Sequence, residues 1–367
     1  GAGEVKVLFL IPHPWEGASS RYRVLQYLPY LESQGISCTV SSFLSSRFYK
    51  IAYQRGYWGI KLGCFLLSSI RRLMDVLRSR WYDLVFIHLE AFPIGPPVIE
   101  WLISFSNVPI VFDLDDAVFL PRRSMASPVV QMLRMPQKVS TILRWSKGVI
   151  TCNDYLKSYV EQFNSRVCVI PTCVDVHQFQ ISASRSIRDR PLIGWVGSPS
   201  TSPYLEALKP VLSRLSKKYK FTFKIVGAAR PFQISNVDII QEPWSLEKDV
   251  SYFQELDIGV YPLPSEPWVL GKTGFKTVQY MSVGVPCVAS DVGRNREIVE
   301  DGVNGFLART EEEWVEKLGG LISNPKLRER FGRAGRQTVE AHYSLDAHMP
   351  RLLSVLRQAA EINQDVG

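Results

Sequence analysis

The 367-residue sequence has no uninterrupted run of the roughly 18 to 20 apolar residues that a spanning helix requires, so no ordinary helical membrane span is expected. Its apolar start at Val5 is too short and too unlike a secretion signal to read as one, and a cytoplasmic protein is expected. The five histidines form no H-E-x-x-H or comparable cluster. The six cysteines (Cys38, Cys64, Cys152, Cys168, Cys173, Cys287) lack the paired spacing of a zinc site or redox motif. Bound zinc is therefore not expected, and the cysteines read as reduced core thiols. A G-x-G-x-x-G fingerprint is missing after the first strand, which speaks against a nicotinamide dehydrogenase. Internal repeats and low-complexity tracts are also missing. Acidic residues are scarce in one segment. Between Arg47 and Arg80 eight basic residues (Arg47, Lys50, Arg55, Lys61, Arg71, Arg72, Arg78, Arg80) stand against Asp75 alone, a surplus of +7 in a chain whose net charge is +8. The remainder is nearly balanced, which excludes a broad nucleic-acid-binding face and points to a local anionic partner.

What is present is an alternation of short apolar runs with helix-length segments, the pattern of parallel sheets wrapped by helices. Strands are expected at 5–11, 38–42, 84–88, 110–113, 148–151 and 167–170. The pattern restarts with 192–196, 221–226, 237–240, 258–261, 287–290 and 305–308. Two Rossmann-like domains are expected, at 4–178 and 191–344, joined by a polar linker at 179–190. Helices at 325–342 and 345–362 close the chain, the last forming a crossover helix and tail over 345–367 that returns to the first domain. Ligands of open α/β sheets bind beyond the carboxyl ends of the strands, so the residues just after each strand carry the functional reading.

Four such loops stand out. His13 to Arg23 is a small-residue loop opening a helix. Either Gly17 to Ser20 bring backbone amides to a phosphate or sugar, or Ser19 or Ser20 caps an ordinary turn. Asp113, Asp115 and Asp116 end an apolar strand, and clustered carboxylates there suit acid–base work, hydroxyl recognition or a divalent metal. Glu90 ends a neighbouring strand, while His88 reads as a packed strand-end residue. After the first strand of the second domain, Gly197 permits close backbone approach and Ser198, Ser200 and Thr201 offer hydroxyls for a diphosphate. In Gly271-Lys272-Thr273-Gly274-Phe275-Lys276 two glycines and two lysines precede a short helix bearing Gln279. Amides, helix dipole and ammonium charge then surround one anion site.

This fourth stretch, continued by Pro286 to Gly293 and Glu297 to Leu307, resembles the family 4 glycosyltransferases. The Gly17 loop resembles the family's first loop, and Arg21-Tyr22-Arg23 with Asp113 to Asp116 resembles a bacterial polysaccharide-assembly branch. The resemblance implies a GT-B fold, two Rossmann-like domains facing each other across a cleft. It also implies a nucleotide-sugar donor (UDP or GDP) held by the second domain, a glycan or lipid-linked acceptor, retention of anomeric configuration, and no metal or other cofactor. Two family glutamates fall at Gly271 and Gln279 here; Gln279 can still bond ribose hydroxyls, whereas Gly271 has lost a side chain that touches the sugar. The donor site is then expected at Gly17, Ser198, Ser200, Thr201 and Gly271 to Lys276 with Gln279. Lys276, and less directly Lys272, neutralises the leaving diphosphate. Arg21, Asp115 and Asp116 are expected toward the acceptor, and Asp116 and Glu90 join Lys276 as catalytic candidates. The same features fit a sugar-nucleotide epimerase or a silent nucleotide-sugar-binding subunit. Aromatics mixed with the basic residues of 47–80 suit either an anionic membrane surface at the inner face of the cell membrane or a packed helix with a solvated basic side.

Overall fold

A computed structural model of the chain describes residues 5–52, 54, 56–120, 135–182, 188 and 190–364. The chain divides into two compact units, one made of Gly1–Thr172 with His348–Gly367, the other of Cys173–Ala347. In the first, β1 (Val5–Ile11), β2 (Ile36–Ser42), β3 (Leu84–His88), β4 (Ile110–Leu114), β5 (Gly148–Thr151) and β6 (Val167–Val169) form a parallel sheet in the order β2-β1-β3-β4-β5-β6. Around it lie α1 (Ala18–Arg23), α2 (Leu28–Ser33), α3 (Ser46–Ala52), α4 (Trp58–Ser79), α5 (Val98–Ser104), α6 (Lys138–Trp145) and α7 (Asp154–Val160). In the second, β7 (Leu192–Val196), β8 (Thr222–Val226), β9 (Asp238–Glu242), β10 (Ile258–Tyr261), β11 (Cys287–Ser290) and β12 (Phe306–Ala308) run parallel in the order β12-β11-β10-β7-β8-β9. Its helices are α8 (Lys209–Ser216), α9 (Asp249–Gln254), α10 (Phe275–Ser282), α11 (Asn295–Ile298), α12 (Glu311–Ser323) and α13 (Pro325–His342). The last helix, α14 (Leu345–Gln364), passes from the second unit to the first.

Strands β3, β4 and β7 are buried at every position, because parallel sheets are covered on both faces. Their side chains are therefore mostly apolar, the feature that marks them in the sequence, with His88 and Asp113 as buried exceptions. The edge strands are less plain. Strand β2 begins at Ile36 rather than 38, since Val5 pairs with Ile36 along the full length of β1. Strand β9 continues through the polar Gln241 and Glu242, which pair with Ile225 and Val226. An edge strand tolerates such residues because one of its sides faces water. Asn324 caps α13, its side chain accepting from Leu327 N at 3.0 Å, with Pro325 at the first helical position.

The unit boundary falls ahead of residue 178. Val174 exchanges backbone hydrogen bonds with Tyr343 and Leu345, each 3.0 Å, and Phe179 packs on Phe253, so this stretch joins the second unit. Of the expected linker, 183–187 and 189 lie outside the described residues. Beyond His348, α14 returns to the first unit, where Arg351 donates to Val169 O (3.0 Å) and Arg357 to Gln34 O (2.8 Å).

Each strand order reverses once. The chain runs from β1 outward to β2 and then returns to β3 on the other side of β1. It likewise runs from β7 to β8 and β9 and returns to β10. The crevices at the carboxyl ends of β1 with β3, and of β7 with β10, are the switch points where ligands of such sheets bind. Backbone packing at the second is tight: a Cβ on Gly227, whose φ is +84°, would stand 2.3 Å from Gly197 O. Gly227→Ala should therefore lower the unfolding free energy by about 2 to 3 kcal/mol, through strain and a backbone clash together, read from urea denaturation.

Candidate active site

At the first switch point one buried cluster joins three strand ends. Arg23, on α1, forms a bidentate ion pair with Asp113 of β4, through Nη2 and through Nε at 3.1 Å, and gives Nη1 to Ile170 O at 2.6 Å. His88, at the end of β3, is fully buried and sets Nδ1 2.7 Å from the same carboxylate. Its Nε2 lies 2.7 Å from Ser19 Oγ, which in turn lies 2.8 Å from Asp115 Oδ2. Burial opposes the charge on Asp113, but Arg23 and His88 outweigh it and hold the carboxyl below the usual range. Asp115 is shifted the other way, upward, chiefly by burial.

Asp115, Ser19 and His88 thus form one continuous hydrogen-bonded chain, in which the Ser19 hydroxyl donates to the Asp115 carboxylate and lies against the His88 ring.

The neighbouring candidates have distinct surroundings. The N-cap of α1 is Gly17, not Ser19 or Ser20; Ser20 Oγ accepts from His13 N at 3.2 Å. Gly17 N donates to Pro14 O, and a Cβ there would meet that of His13 at 2.3 Å, so close packing accounts for the glycine. Arg21 is buried and donates to Trp15 O at 2.9 Å, bracing this loop rather than projecting from it. Asp116 Oδ1 accepts from Ala117 N (2.8 Å), and Glu90 pairs with Lys138 at 3.0 Å. Between His88 and Glu90, Leu89 adopts φ +62°, a costly conformation for leucine, secured by Leu89 N donating to Asp113 O at 2.9 Å. The three aspartates divide into ion pair, relay and turn. Among the described residues no group of three or more His, Cys, Asp or Glu is placed to hold a metal ion.

At the second switch point the loops after β7 and β10 carry the expected donor residues. The hydroxyls of Ser198, Ser200 and Thr201 bond one another, Ser198 Oγ lying 2.9 Å from Ser200 Oγ and 3.2 Å from Thr201 Oγ1. Gly197 has no room for a side chain, since a Cβ would lie 2.1 Å from the Trp195 ring. A 3-10 turn, Pro267–Gly271, leads to Lys272, whose ammonium lies 5.2 Å from the centre of the Trp268 ring. Thr273 Oγ1 accepts from Phe275 N at 3.3 Å. Gly274, at φ +67°, is the N-cap of α10, and a Cβ would stand 2.5 Å from Ile298. Lys276 Nζ donates to the buried Gln279 Oε1 at 3.0 Å and lies 5.2 Å from the Phe253 ring centre. The lysine and glutamine thus form one polar pair rather than two independent contacts.

The second half, residues 190–324, matches the profile of the family described as "Glycosyl transferases group 1", and residues 22–178 match "Glycosyltransferase Family 4". The chain belongs to the family 4 glycosyltransferases. The chain is 22% identical over 223 residues to a D-inositol 3-phosphate glycosyltransferase of Xylanimonas cellulosilytica, covering 53% of the chain and 52% of that protein. An uncharacterized glycosyltransferase of Methanocaldococcus jannaschii is 28% identical over 133 residues, covering 33% and 36%. The chain thus spans about half or less of these curated relatives' lengths. The GT-B fold is shared over nearly the whole chain with a glycosyltransferase from Rickettsia africae (TM-score 0.68, 14% identity, 97% of this chain and 98% of that). It is shared equally with Anabaena HepE in complex with UDP and glucose (TM-score 0.68, 16% identity, 96% and 100%).

His88 is the packed strand-end residue that the sequence suggests, and Ser19, left open there between a cap and a ligand-facing loop, is instead bonded to it; both belong to the polar chain behind Asp115. Their separation of 69 positions hides the pairing. The available signal was a histidine at a strand end next to a carboxylate-bearing strand. Asp113→Asn would leave the Arg23 guanidinium buried without its counter-charge, so the first unit should lose about 3 to 5 kcal/mol in urea unfolding. Because the Asp113 pKa is depressed, its stabilisation is fully present above the ordinary carboxylate value of about 3.9 and is lost as pH falls through the lower folded value. The wild-type protein should show that acid-limb loss and Asp113→Asn should not.

Proposed function

We propose that this glycosyltransferase moves a sugar from a nucleotide diphosphate donor, UDP- or GDP-linked, to a glycan or lipid-linked acceptor with retention of configuration, in bacterial polysaccharide or glycoconjugate assembly. The observation that carries the reading is the pairing of both family matches with two switch points, each lined by the polar loops that the chemistry needs. The UDP complex of the Anabaena neighbour supports a nucleotide donor. Six cysteines without a disulfide suit the reducing cytoplasm, where the reading places the enzyme.

In this reading the second unit binds the donor. The Gly274 cap and the first turn of α10 face the diphosphate, and Lys276, assisted by Lys272, neutralises it as it leaves. Ser198, Ser200 and Thr201 exchange their mutual hydrogen bonds for phosphate oxygens. Gln279, held by Lys276, offers its amide NH2 to the ribose, and the small Gly271 leaves room beside the sugar. Asp116, Asp115 and Glu90 position the acceptor hydroxyl, with Arg21 bracing the loop at Trp15, and the leaving phosphate takes the acceptor proton. Ser19 and His88 are positioning residues that hold the Asp115 carboxyl in place.

Lys276→Ala should reduce turnover by about 10² to 10³, the scale of one lost transition-state donor, measured as acceptor-dependent release of nucleoside diphosphate. Unchanged turnover and donor affinity would remove Lys276 from the mechanism. Ser19→Ala deletes the hydrogen bond that favours the charged form of Asp115, so the acid limb of the kcat/KM profile should move to higher pH. A profile that merely scales down would assign Ser19 to packing alone. Across nucleotide sugars, the true donor at 100 times its Kd should stabilise the protein by about 2.7 kcal/mol in thermal unfolding.

A further inference from the structure

Helix α4 is amphipathic in the inverted sense. Its buried stripe is polar: Ser68, Arg72, Asp75 and Ser79 face the protein. Arg72 donates to Asp75 Oδ2 (3.2 Å), Ser41 O (3.1 Å) and Ile11 O (3.1 Å). Leu62, Leu66, Ile70, Leu73 and Leu77, spaced by three or four along one face, are instead exposed, at 60, 54, 56, 50 and 66%. Trp58 and Trp81, 79 and 64% exposed, stand at the two ends of this face. The adjoining α5 adds Trp101 and Phe105, exposed and stacked edge to face with centroids 4.7 Å apart. An apolar surface of this continuity requires an apolar partner.

The charges around it select which one. Arg47, Lys50, Arg78 and Arg80 are exposed, whereas Asp75, the one acid between residues 47 and 80, is buried in its pair with Arg72; Arg55 lies outside the described residues. Arg71 and Arg78 also line a groove of ≈ 400 Å³ between β2 and α4, which brings guanidinium charge to the border of the apolar face. A second copy of the chain would set this positive segment against its like, whereas an anionic bilayer complements both the apolar face and its rim. No helix among the described residues is long and apolar enough to cross a membrane. We propose that α4, with the end of α5, seats the first unit on the surface of an anionic phospholipid bilayer, lying in its plane. The docking goes beyond the transfer reaction and does not depend on which sugar is moved.

The test is cosedimentation of the full chain with vesicles of phosphatidylcholine alone or with phosphatidylglycerol added. Binding is expected to the anionic vesicles and to fall as salt rises. The triple variant Leu66→Gln, Ile70→Gln, Leu77→Gln should bind at least about a hundredfold more weakly, and Arg78→Gln and Arg80→Gln about fivefold each. These side chains are exposed, so thermal unfolding midpoints should stay unchanged. Absence of binding, equal binding to both vesicle types, or binding indifferent to the triple variant would each overturn the proposal. A dimer in sedimentation equilibrium that the triple variant dissociates would overturn it in favour of a second copy.

Discussion

Within the first unit, the polar architecture depends on the Arg23 guanidinium, buried against both oxygens of Asp113. The pair ties α1 to β4, and the third hydrogen bond of the arginine, to Ile170 O, reaches the residue after β6. A charge so enclosed is costly unless fully paired, and here Arg23 and His88 share one carboxylate whose two oxygens are both engaged. With Asp113 held as the anion, His88 is fixed at Nδ1 and turns Nε2 to Ser19 and thence to Asp115. The electrostatic character of the switch point is therefore set one layer beneath it.

The second unit meets its constraint with backbone rather than charge. Gly197 and Gly227 pack where no side chain fits, and Gly259 leaves space for the Tyr280 ring, whose hydroxyl accepts from Val196 N and donates to Val260 O. These contacts bring the ends of β7, β8 and β10 together and set the start of α10 beside them. The left-handed Gly274 then turns the chain into that helix. Both units thus present polar loops at a reversal of strand order, one organised by a buried ion pair and the other by glycine packing.

Helix α4 obeys a different balance. Burying an arginine–aspartate pair against β2 while leaving leucines outside is unfavourable for an isolated unit in water. The arrangement becomes favourable when an apolar phase covers the outward face. Its basic neighbours add a long-range attraction to anionic surfaces, which acts before the apolar contact forms.

The residues in isolation determined most of the architecture. Strands buried on both faces are mostly apolar, so β1, β3, β5, β7, β10 and β11 were legible to the residue, and Pro325 marked the start of α13. The family-like run through Lys276 and Gln279 likewise located the loop after β10. Tertiary structure alone decided what these side chains touch. Ser19 and His88 are 69 positions apart, and Arg23 and Asp113 are 90 apart, so neither bond has a local periodicity to betray it. The inward face of α4 was equally hidden, because hydrophobic periodicity identifies an apolar stripe but not which side of a helix the protein occupies. That choice followed from where Ile11 and Ser41 place carbonyls for Arg72 to bond, a matter of how the chain packs rather than of its order.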